Sequence, residues 1–314
     1  YTGIAKQNVI DAEKFMALNF ETNYRVFDLS GGFQSSRTSY FHKSLGGYHG
    51  AKLRNINNLM DFHLSKMNNT VYDMMNVKYF IQNTEQGVMA RPNPTALGNA
   101  WLVKSVKEYE TPNDEILALG STFTIENKGA GQLIVNDEVV KSATVYGGEK
   151  IQYLLVGKDT MTVPLSNDIA KGIKALFVMD INGKTNLIPE ITQLSDTVDS
   201  FTTLTSLEVV HKFQPREHAI MLKSEAEKLS KKTFSGEGVV KMVSYAPDKM
   251  VYQADLKGKQ LAVFSEIYYP IGWKAFVDGK ETEIRKVNYL LRGLELEGGK
   301  HKIEFVKMKK KAFL

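Results

Sequence analysis

The sequence contains no cysteine, and this absence excludes several kinds of chemistry at once. Disulfide bonds, thiolate metal sites and cysteine nucleophiles all depend on that residue. Tryptophan is also scarce, with two among 314 residues. Because 43% of the residues are hydrophobic and 24% are charged, the chain can still bury a sizeable core in the manner of an ordinary globular protein.

Long apolar runs and a strong charge of one sign are missing as well. No stretch reaches the roughly 18 apolar residues of a membrane-spanning helix, and no signal peptide opens the chain. The formal net charge is +5, and the basic residues are spread along the chain. Nucleic acid is therefore not an expected partner. Since the first residue is Tyr1 and not Met, we expect a piece of a longer protein.

A length of 314 residues predicts more than one domain, and the pattern of helical and strand periodicity changes twice along the sequence. Residues 1–119 carry both helical and strand periodicity, so we predict an N-terminal mixed α/β domain, completed by residues 206–230. The individual elements are strands over 24–29, 77–81 and 101–109, a helix over 50–67 and a short second helix capped by Thr70. The 50–67 helix has one apolar face, formed by Leu53, Ile56, Met60, Leu64 and Met67.

From residue 120 onward, short strands are separated by turn pairs. Asn136-Asp137, Gly147-Gly148 and Asn182-Gly183 supply the positive φ angles that tight hairpins need. This pattern predicts a small all-β module inserted over residues 120–205.

The last 80 or so residues again alternate with period two. Turn pairs such as Lys257-Gly258 and Asp278-Gly279 separate seven short strands, a spacing typical of an antiparallel β-sandwich of jelly-roll or immunoglobulin-like type. We therefore predict such a sandwich over residues 231–314, with one strand starting at Tyr289 and with Ile303 and Phe305 facing inward on the last strand. The fold class is α+β, multidomain.

A Pro and a Gly precede the second tryptophan in this region. Pro270 cannot donate a hydrogen bond to a neighbouring strand, and Gly272 tolerates unusual backbone angles, so the chain is expected to bulge or cross between sheets there. Trp273 then begins the next strand, and we expect it in the core or at its edge.

These segments resemble the C-terminal extracytoplasmic region of YfhO-like bacterial membrane proteins. The C-terminal matches are IYYPIGWKAFVDGK (267–280), RKVNYLLR (285–292) and GKHKIEF (299–305). The N-terminal matches are YRVF (24–27), TSYFHKSLGGYHG (38–50), NVKYFI (76–81) and GNAWLV (98–103). The 38–50 segment is most similar to Bacteroidetes-type members, and residues 120–197 have no counterpart.

The resemblance implies a polytopic parent whose membrane part is similar to the GT-C glycosyltransferases, which move sugars from polyprenyl-phosphate carriers. The acidic catalytic residue of that class lies in an early loop that is absent from this chain. The resemblance therefore implies no catalytic residue here, no cofactor and no activity of the chain alone. It places the chain on the extracytoplasmic (periplasmic) face of the bacterial inner membrane, with the transmembrane part of the parent as partner.

Two aromatic loops are the candidate contact sites. Aromatic rings stack on the C–H face of a sugar, so these loops are expected either to hold a cell-surface glycan or lipid-linked sugar, or to pack domains together. The candidate residues are Arg37, Tyr40, His42, Tyr48 and His49 in the Gly-rich loop, and Tyr268, Tyr269 and Trp273 in the junction loop.

The sequence leaves three candidate functions. The first is a scaffold and acceptor-handling region of a glycosyltransferase acting on cell-envelope glycans, and the second is a purely structural or protein-interaction module. The third, a secreted hydrolase, requires a carboxylate pair that no motif reveals. The spacing of His42, His49 and His63 is not a ligand signature, so no metal is expected and these histidines are interpreted as polar loop and cap residues.

Overall fold

The chain divides into two compact units. The computed structural model describes residues 23–40, 42–47, 53–85, 87–127, 131–154, 160–165, 174–179, 185–189 and 204–308. The first unit contains the described residues up to Asn57, Tyr72–Glu110 and those from Pro215 on, and the second contains Asn58–Val71 and Thr111–Gln214. The three-domain boundaries drawn from the sequence stay a prediction, since this division does not test which segments fold independently.

The N-terminal third combines short helices with a mixed sheet, as predicted for an α/β region. Strand β1 pairs in parallel with β2 and β3, and β4 adds to β3 in antiparallel fashion. The strands are β1 (Arg25–Asp28), β2 (Lys43–Ser44), β3 (Val77–Thr84), β4 (Gly87–Pro92), β5 (Ala100–Val103) and β6 (Ser105–Tyr109). The helices are the 3₁₀ turns Gly32–Gln34 and Arg37–Tyr40, α1 (Arg54–Leu59), a π-helical turn Met60–Leu64 and α2 (Asn69–Met74).

The middle of the chain forms two antiparallel sheets, which confirms an all-β module. One sheet has the order β10-β7-β15-β13-β14 and the other β12-β11-β8-β9. Asn136 and Asp137 adopt positive φ angles of 51° and 64° between β8 and β9, as the hairpin prediction requires. The Asn182-Gly183 turn lies outside the described residues. The elements are α3 (Pro112–Leu117), β7 (Ser121–Asn127), β8 (Gln132–Val135), β9 (Glu138–Val140), β10 (Ser142–Tyr146), β11 (Lys150–Leu154), β12 (Thr160–Pro164), β13 (Lys174–Met179), β14 (Thr185–Pro189) and β15 (Leu204–Lys212).

The C-terminal part builds the predicted antiparallel sandwich. Its two sheets have the orders β17-β18-β24-β20-β21 and β22-β23-β19-β5. A separate parallel pair joins β16 to β6. The elements are β16 (His218–Leu222), α4 (Lys223–Ala226), β17 (Gly238–Ala246), β18 (Lys249–Leu256), β19 (Gln260–Ile267), β20 (Trp273–Val277), β21 (Lys280–Thr282), β22 (Arg285–Val287), β23 (Leu291–Leu296) and β24 (Gly299–Lys307).

The sandwich core follows from period-two alternation on both sheets. Ile303 and Phe305 are fully buried, and Lys302, the residue before Ile303 in β24, is exposed. The predicted inward face of β24 is therefore confirmed. Tyr252, Phe264 and Phe305 pack edge to face with ring centroids 4.9 to 5.9 Å apart. These three rings come from β18, β19 and β24 and therefore join the two sheets.

Two strand predictions are wrong in detail. The single strand over 101–109 is divided into β5 and β6, which belong to different sheets. The break falls at Lys104, where the backbone N–H groups of Lys104 and Ser105 both donate to the Glu217 carbonyl, at 2.9 and 3.1 Å. The strand expected at Tyr289 begins only at Leu291, because Asn288 and Tyr289 form a turn with φ angles of 48° and 70°.

Candidate functional site

A polar groove of about 510 Å³ lies in the first unit beside β17, the edge strand of its sheet. Three separate parts of the chain line it: the segment before β1, the turn before β5, and β17 itself. The lining residues are Asn23, Gly98, Asn99, Ala100, Val240, Lys241, Met242, Val243, Ser244 and Tyr245.

Side-chain amides hold one wall of the groove in a single orientation. The Nδ2 groups of Asn23 and Asn76 both donate to Asn99 Oδ1, at 2.9 and 3.2 Å. Asn76 Nδ2 also donates to the Asn23 carbonyl at 3.1 Å, and Ser265 Oγ donates to the Gly98 carbonyl at 2.5 Å. Because these bonds fix the amides before any ligand arrives, little ordering would be needed on binding.

Strand β17 supplies the opposite wall through a bulge. The register with β18 shifts between Met242 and Ser244, so Val243 has no direct partner in the ladder. A bulge of this kind re-aims the neighbouring side chains. Val243 is 55% exposed and Tyr245 is 39% exposed, which places an apolar group and a phenol ring at the groove.

Lys43 lies behind these two walls and touches both of them. Its Nζ donates to Asn23 Oδ1 and lies 2.9 Å from the centroid of the Tyr245 ring. Burial lowers the pKa of Lys43 to about 8, an effect that the nearby Glu266 carboxylate opposes and Arg25 reinforces. The ammonium group is therefore near its titration midpoint at mildly alkaline pH.

Two arginines reach into the same region. Arg25 Nη1 donates to the carbonyls of Met75 and Ser265, at 2.9 and 2.8 Å, and its Nη2 lies 3.8 Å from Glu266 Oε2. Arg292 donates through Nε to the Ile267 carbonyl at 3.0 Å. Its guanidinium carbon lies 4.4 Å from the Trp273 ring centroid, a cation–π distance.

Two polar atoms of this region are buried with no hydrogen-bond partner among the described residues. They are Nη1 of Arg292, a residue only 3% exposed, and Oη of Tyr252, a residue 0% exposed. Burial lowers the pKa of Arg292 and raises that of Tyr252, and the Glu266 charge raises both. Buried polar atoms are normally paired, so these two are unusual.

The structure brings the three junction-loop candidates together in a second, smaller groove. Tyr268, Tyr269 and Trp273 line a space of about 200 Å³ together with Pro270 and Glu283. Tyr269 is 42% exposed, whereas Trp273 is partly buried against the sandwich core, so its predicted place at the core edge is confirmed. The predicted backbone irregularity is confirmed as well, since Gly272 has a φ of 90°.

The Gly-rich-loop candidates have other partners. Arg37 Nη2 lies 3.1 Å from Oδ1 of the buried Asp28, and its Nη1 donates to Asn83 Oδ1 at 2.9 Å. The His42 ring stacks on Tyr24 with centroids 6.4 Å apart, and burial lowers the pKa of His42. The side chain of Tyr40, and all of Tyr48 and His49, lie outside the described residues.

In the described part of the chain, no group of three His, Asp or Glu side chains is placed to hold a metal ion. His63 is buried and interacts with carbonyl and amide groups instead. Its Nε2 donates to the Ile116 carbonyl at 2.6 Å, and its Nδ1 accepts from Asn68 Nδ2 at 3.1 Å. It is therefore a structural histidine, not the loop or cap residue expected from its position.

The residues of the larger groove were missed by sequence reasoning. Asn23, Asn99 and Tyr245 are separated by more than a hundred residues at the widest point and belong to no motif. One signal was present, because Asn76 and the Gly98-Asn99 pair stand inside segments that carry the YfhO-like resemblance. The residue types alone, polar side chains next to a buried strand, did not indicate a groove.

Comparison with known proteins gives weak structural neighbours. No protein-family model and no curated protein matches the chain. Among solved structures, the arabinofuranosyltransferase AftD from Mycobacteria is similar at 15% identity and a TM-score of 0.23, over 66% of this chain and 20% of that one. A mutant form of AftD is similar at 12% identity and a TM-score of 0.24, over 74% of this chain and 29% of that one. The chain thus spans less than a third of these structures, and likeness at this level does not establish a common function.

None of the helices in the described ranges is both long enough and apolar enough to cross a lipid bilayer.

Proposed function

We propose that the chain is the acceptor-handling region of a cell-envelope glycosyltransferase and that it holds a saccharide in the groove beside β17. The observation that carries this proposal is the set of amides fixed by the Asn23, Asn76 and Asn99 bonds on one wall, opposite the exposed Tyr245 ring. The YfhO-like resemblance of the surrounding segments supports the envelope glycosyltransferase as the parent.

The chemistry of the groove suits a sugar. Each saccharide hydroxyl both donates and accepts hydrogen bonds, and the Asn99 amide, whose oxygen is engaged by Asn23 and Asn76, can donate to it through Nδ2 in a fixed plane. The Tyr245 ring presents an apolar face for the C–H groups, and Ser244 adds a hydroxyl. A volume of about 510 Å³ falls within the usual range of ligand sites.

The proposal assigns the chemical step to another part of the parent protein. The transmembrane part would carry the GT-C-like catalytic centre and the lipid-linked donor, on the extracytoplasmic face of the membrane. The chain would bind and position the acceptor glycan there. It contributes no catalytic residue in this scheme.

The test measures saccharide binding by the wild-type chain and by two variants, in each of which one of two tyrosines of similar exposure is replaced. Purified chain is titrated with a panel of neutral and acidic envelope-type oligosaccharides by calorimetry, together with Tyr245→Ala and Tyr269→Ala. Both tyrosines are about 40% exposed, at 39% and 42%, so the two substitutions remove similar surfaces. Loss of binding with Tyr245→Ala alone supports the proposal.

Loss with Tyr269→Ala alone would move the site to the junction-loop groove, and an absence of binding to every oligosaccharide would overturn the proposal. The same two variants in the full-length parent, assayed for sugar transfer, show whether the groove serves the acceptor. In that assay we expect Tyr245→Ala to raise KM for the acceptor and to leave kcat nearly unchanged, because the catalytic centre is untouched.

A second candidate function, a protein-interaction module, has one specific observation in its favour. The edge strand β17 carries Val239 and Val243 on its surface, both largely exposed. Exposed apolar residues on a sheet edge are a typical protein-docking surface. If this surface docks the transmembrane part, Val239→Lys, which lies outside the lining of the groove, should weaken co-purification of the chain with that part and leave saccharide binding by the chain intact.

A further inference from the structure

Three cationic side chains gather around Glu266, next to the groove residues Asn23 and Tyr245. Arg25 extends from β1, Lys43 from β2 and Arg292 from β23, and the carboxylate of Glu266 in β19 faces them. Three positive charges thus meet one negative charge. Arg25 and Glu266 are largely buried, with side chains 14% and 16% exposed.

The backbone contacts bring the four side chains together. Arg25 donates to the Ser265 carbonyl and Arg292 to the Ile267 carbonyl, on either side of Glu266, and Lys43 is the register partner of Arg25 in the β1–β2 ladder. The Glu266 charge favours the protonated forms of both Lys43 and Arg292, and Arg25 disfavours both. For Lys43 and Arg292 the largest influence is burial, which works against the charged form. A buried cation is costly unless an anion or several hydrogen bonds compensate it, and one carboxylate cannot fully compensate three cations.

The cluster also contains unused hydrogen-bonding capacity. Arg292 Nη1 and Tyr252 Oη are buried without a partner among the described residues. Glu266 and Arg25 influence the ionisation of both residues, so the two unpaired atoms and the excess charge occupy the same region. An oxyanion accepts hydrogen bonds from guanidinium and hydroxyl donors and carries the missing negative charge.

Lys43 connects this cluster to the groove. It donates to Asn23 and lies over Tyr245, and both of these residues line the groove. An anionic substituent of a ligand in the groove would therefore meet Lys43 first, where its ammonium lies between Asn23 and the Tyr245 ring.

We propose that the cationic cluster of Arg25, Lys43 and Arg292 receives the oxyanion of an acidic saccharide, a carboxylate or a phosphate, so that the groove selects acidic over neutral glycans. The inference rests on the proposed function, because it names the class of saccharide that the groove takes. Glu266 has a positioning role in this arrangement, since it holds Arg25 through the 3.8 Å ion pair.

The experiment compares four probes on the purified chain by calorimetry at pH 7. They are an oligosaccharide that contains glucuronate, the matched neutral oligosaccharide with glucose in its place, a sugar phosphate and inorganic phosphate. We expect the glucuronate oligosaccharide to bind about tenfold more tightly than the neutral one, as one added charge-assisted hydrogen-bonded contact allows. The sugar phosphate and inorganic phosphate arms distinguish a phosphate-bearing ligand from a carboxylate-bearing one.

Lys43→Met should bring the ratio of the acidic to the neutral affinity to about one, with both affinities measured on the same variant because Lys43 also contacts Asn23 and Tyr245. Lys43→Arg should restore most of the difference, which separates loss of charge from loss of fold, and Lys280→Met in the exposed β20–β21 hairpin is the matched surface control.

Raising the pH from 7 to 9 should also weaken acidic binding in the wild type, since Lys43 titrates near 8. The groups that face it are Arg25, Glu266 and Tyr245, and burial raises the pKa of Tyr245, so the tyrosine stays neutral in this range.

The outcomes separate the two proposals. Equal affinity for acidic and neutral oligosaccharides, or a preference that survives Lys43→Met, overturns the inference and leaves the saccharide groove standing. Binding of inorganic phosphate that depends on Lys43, with no oligosaccharide binding, supports the anion site and overturns the saccharide function. No binding of any probe overturns both.

Discussion

At the scale of single residues, His63 is the clearest case of a side chain whose protonation is coupled to folding. It is buried in the second unit, where burial lowers its pKa to about 4 and the bond to the Ile116 carbonyl only partly opposes this. In the unfolded chain its pKa is near 6.5. The folded state therefore holds the neutral imidazole over a range in which the unfolded state binds a proton.

Acidification should for this reason destabilise the second unit. Between pH 6.5 and about 4 the unfolded state binds more protons, so the free energy of unfolding should fall as the pH falls, by about 3 kcal/mol over the whole window. Urea unfolding followed by circular dichroism at pH 7, 5.5 and 4.5 measures this fall in the free energy of unfolding. His63→Gln is the control, because it removes the titrating group and should flatten the pH dependence. An identical slope in the variant would contradict the prediction.

Phe305 is a residue-scale test of the sandwich core. It is fully buried, and its ring contacts Tyr252 and Phe264 edge to face. Phe305→Ala should lower the free energy of unfolding by about 3–5 kcal/mol, since a large buried ring leaves a cavity that neighbours fill only in part. Met308→Ala, at an exposed position three residues on, should change it by less than about 0.5 kcal/mol. Guanidinium unfolding followed by circular dichroism compares the two variants.

At the scale of secondary-structure elements, the helix expected over 50–67 shows how a local irregularity changes a buried face. Helix α1 ends at Leu59, and the chain continues as a π-helical turn in which Ser65 N donates to the Met60 carbonyl at 2.9 Å. The wider turn inserts an extra residue and rotates the side chains on its C-terminal side. Leu64 is buried as predicted, but Leu53 and Met67 of the predicted apolar face are exposed.

Helix α2 differs from its prediction only in the position of its first residue. Thr70 was the expected cap, yet the helix already begins at Asn69, so Thr70 is its second residue. Helix boundaries of this kind vary by a residue or two because capping residues of similar chemistry stand side by side.

Two glycines that border β18 and its neighbour β17 provide an element-scale prediction. A Cβ on Gly238, which has a φ of 132°, would lie 2.5 Å from the Asp255 carbonyl oxygen, whereas a Cβ on Gly258 would meet nothing within 4 Å although its φ is 73°. Gly258→Ala should cost about 1 kcal/mol of stability from backbone strain alone. Gly238→Ala should cost clearly more, about 2–3 kcal/mol, because the edge strand must also shift. Thermal unfolding of both variants measures the two losses of stability. Equal losses would argue against the close approach of the two strands.

At the scale of the whole molecule, the C-terminal sandwich is not formed by C-terminal residues alone. Strand β5 pairs with β19 through Trp101 opposite Val263 and completes the second sheet. Trp101 is buried and donates from its indole nitrogen to the Pro215 carbonyl at 2.7 Å. The sandwich therefore depends on a segment more than a hundred residues upstream.

A fragment experiment tests this dependence. Residues 215–308 alone should unfold without a cooperative transition or aggregate, because the edge of β19 and its apolar surface are uncovered. Addition of a peptide of residues 98–110, which carries β5 and β6, should restore cooperative unfolding and shift Trp101 fluorescence to the blue. The same peptide with Val103→Lys should fail, since Val103 is fully buried. Cooperative folding of the fragment without any peptide would contradict the prediction.

Features that depend on neighbouring residues could be predicted from the sequence. Alternation predicted the buried face of β24, and residue pairs with a tolerance for positive φ predicted the hairpin turns at Asn136-Asp137 and Asp278-Gly279. The fold class was predictable from the same signals, because period, turn chemistry and strand length are all encoded within about ten residues of each other.

Which distant segments meet could not be predicted from local patterns and became visible only in the folded chain. The pairing of β5 with β19, the groove between Asn99 and Tyr245, and the cluster of Arg25, Lys43 and Arg292 all join residues far apart in the chain. Local periodicity indicates which face of a strand is buried but not which strand lies beside it, and the energy that selects the partner comes from packing and charge compensation across the whole unit. For that reason the candidate site was visible only after the strands were paired.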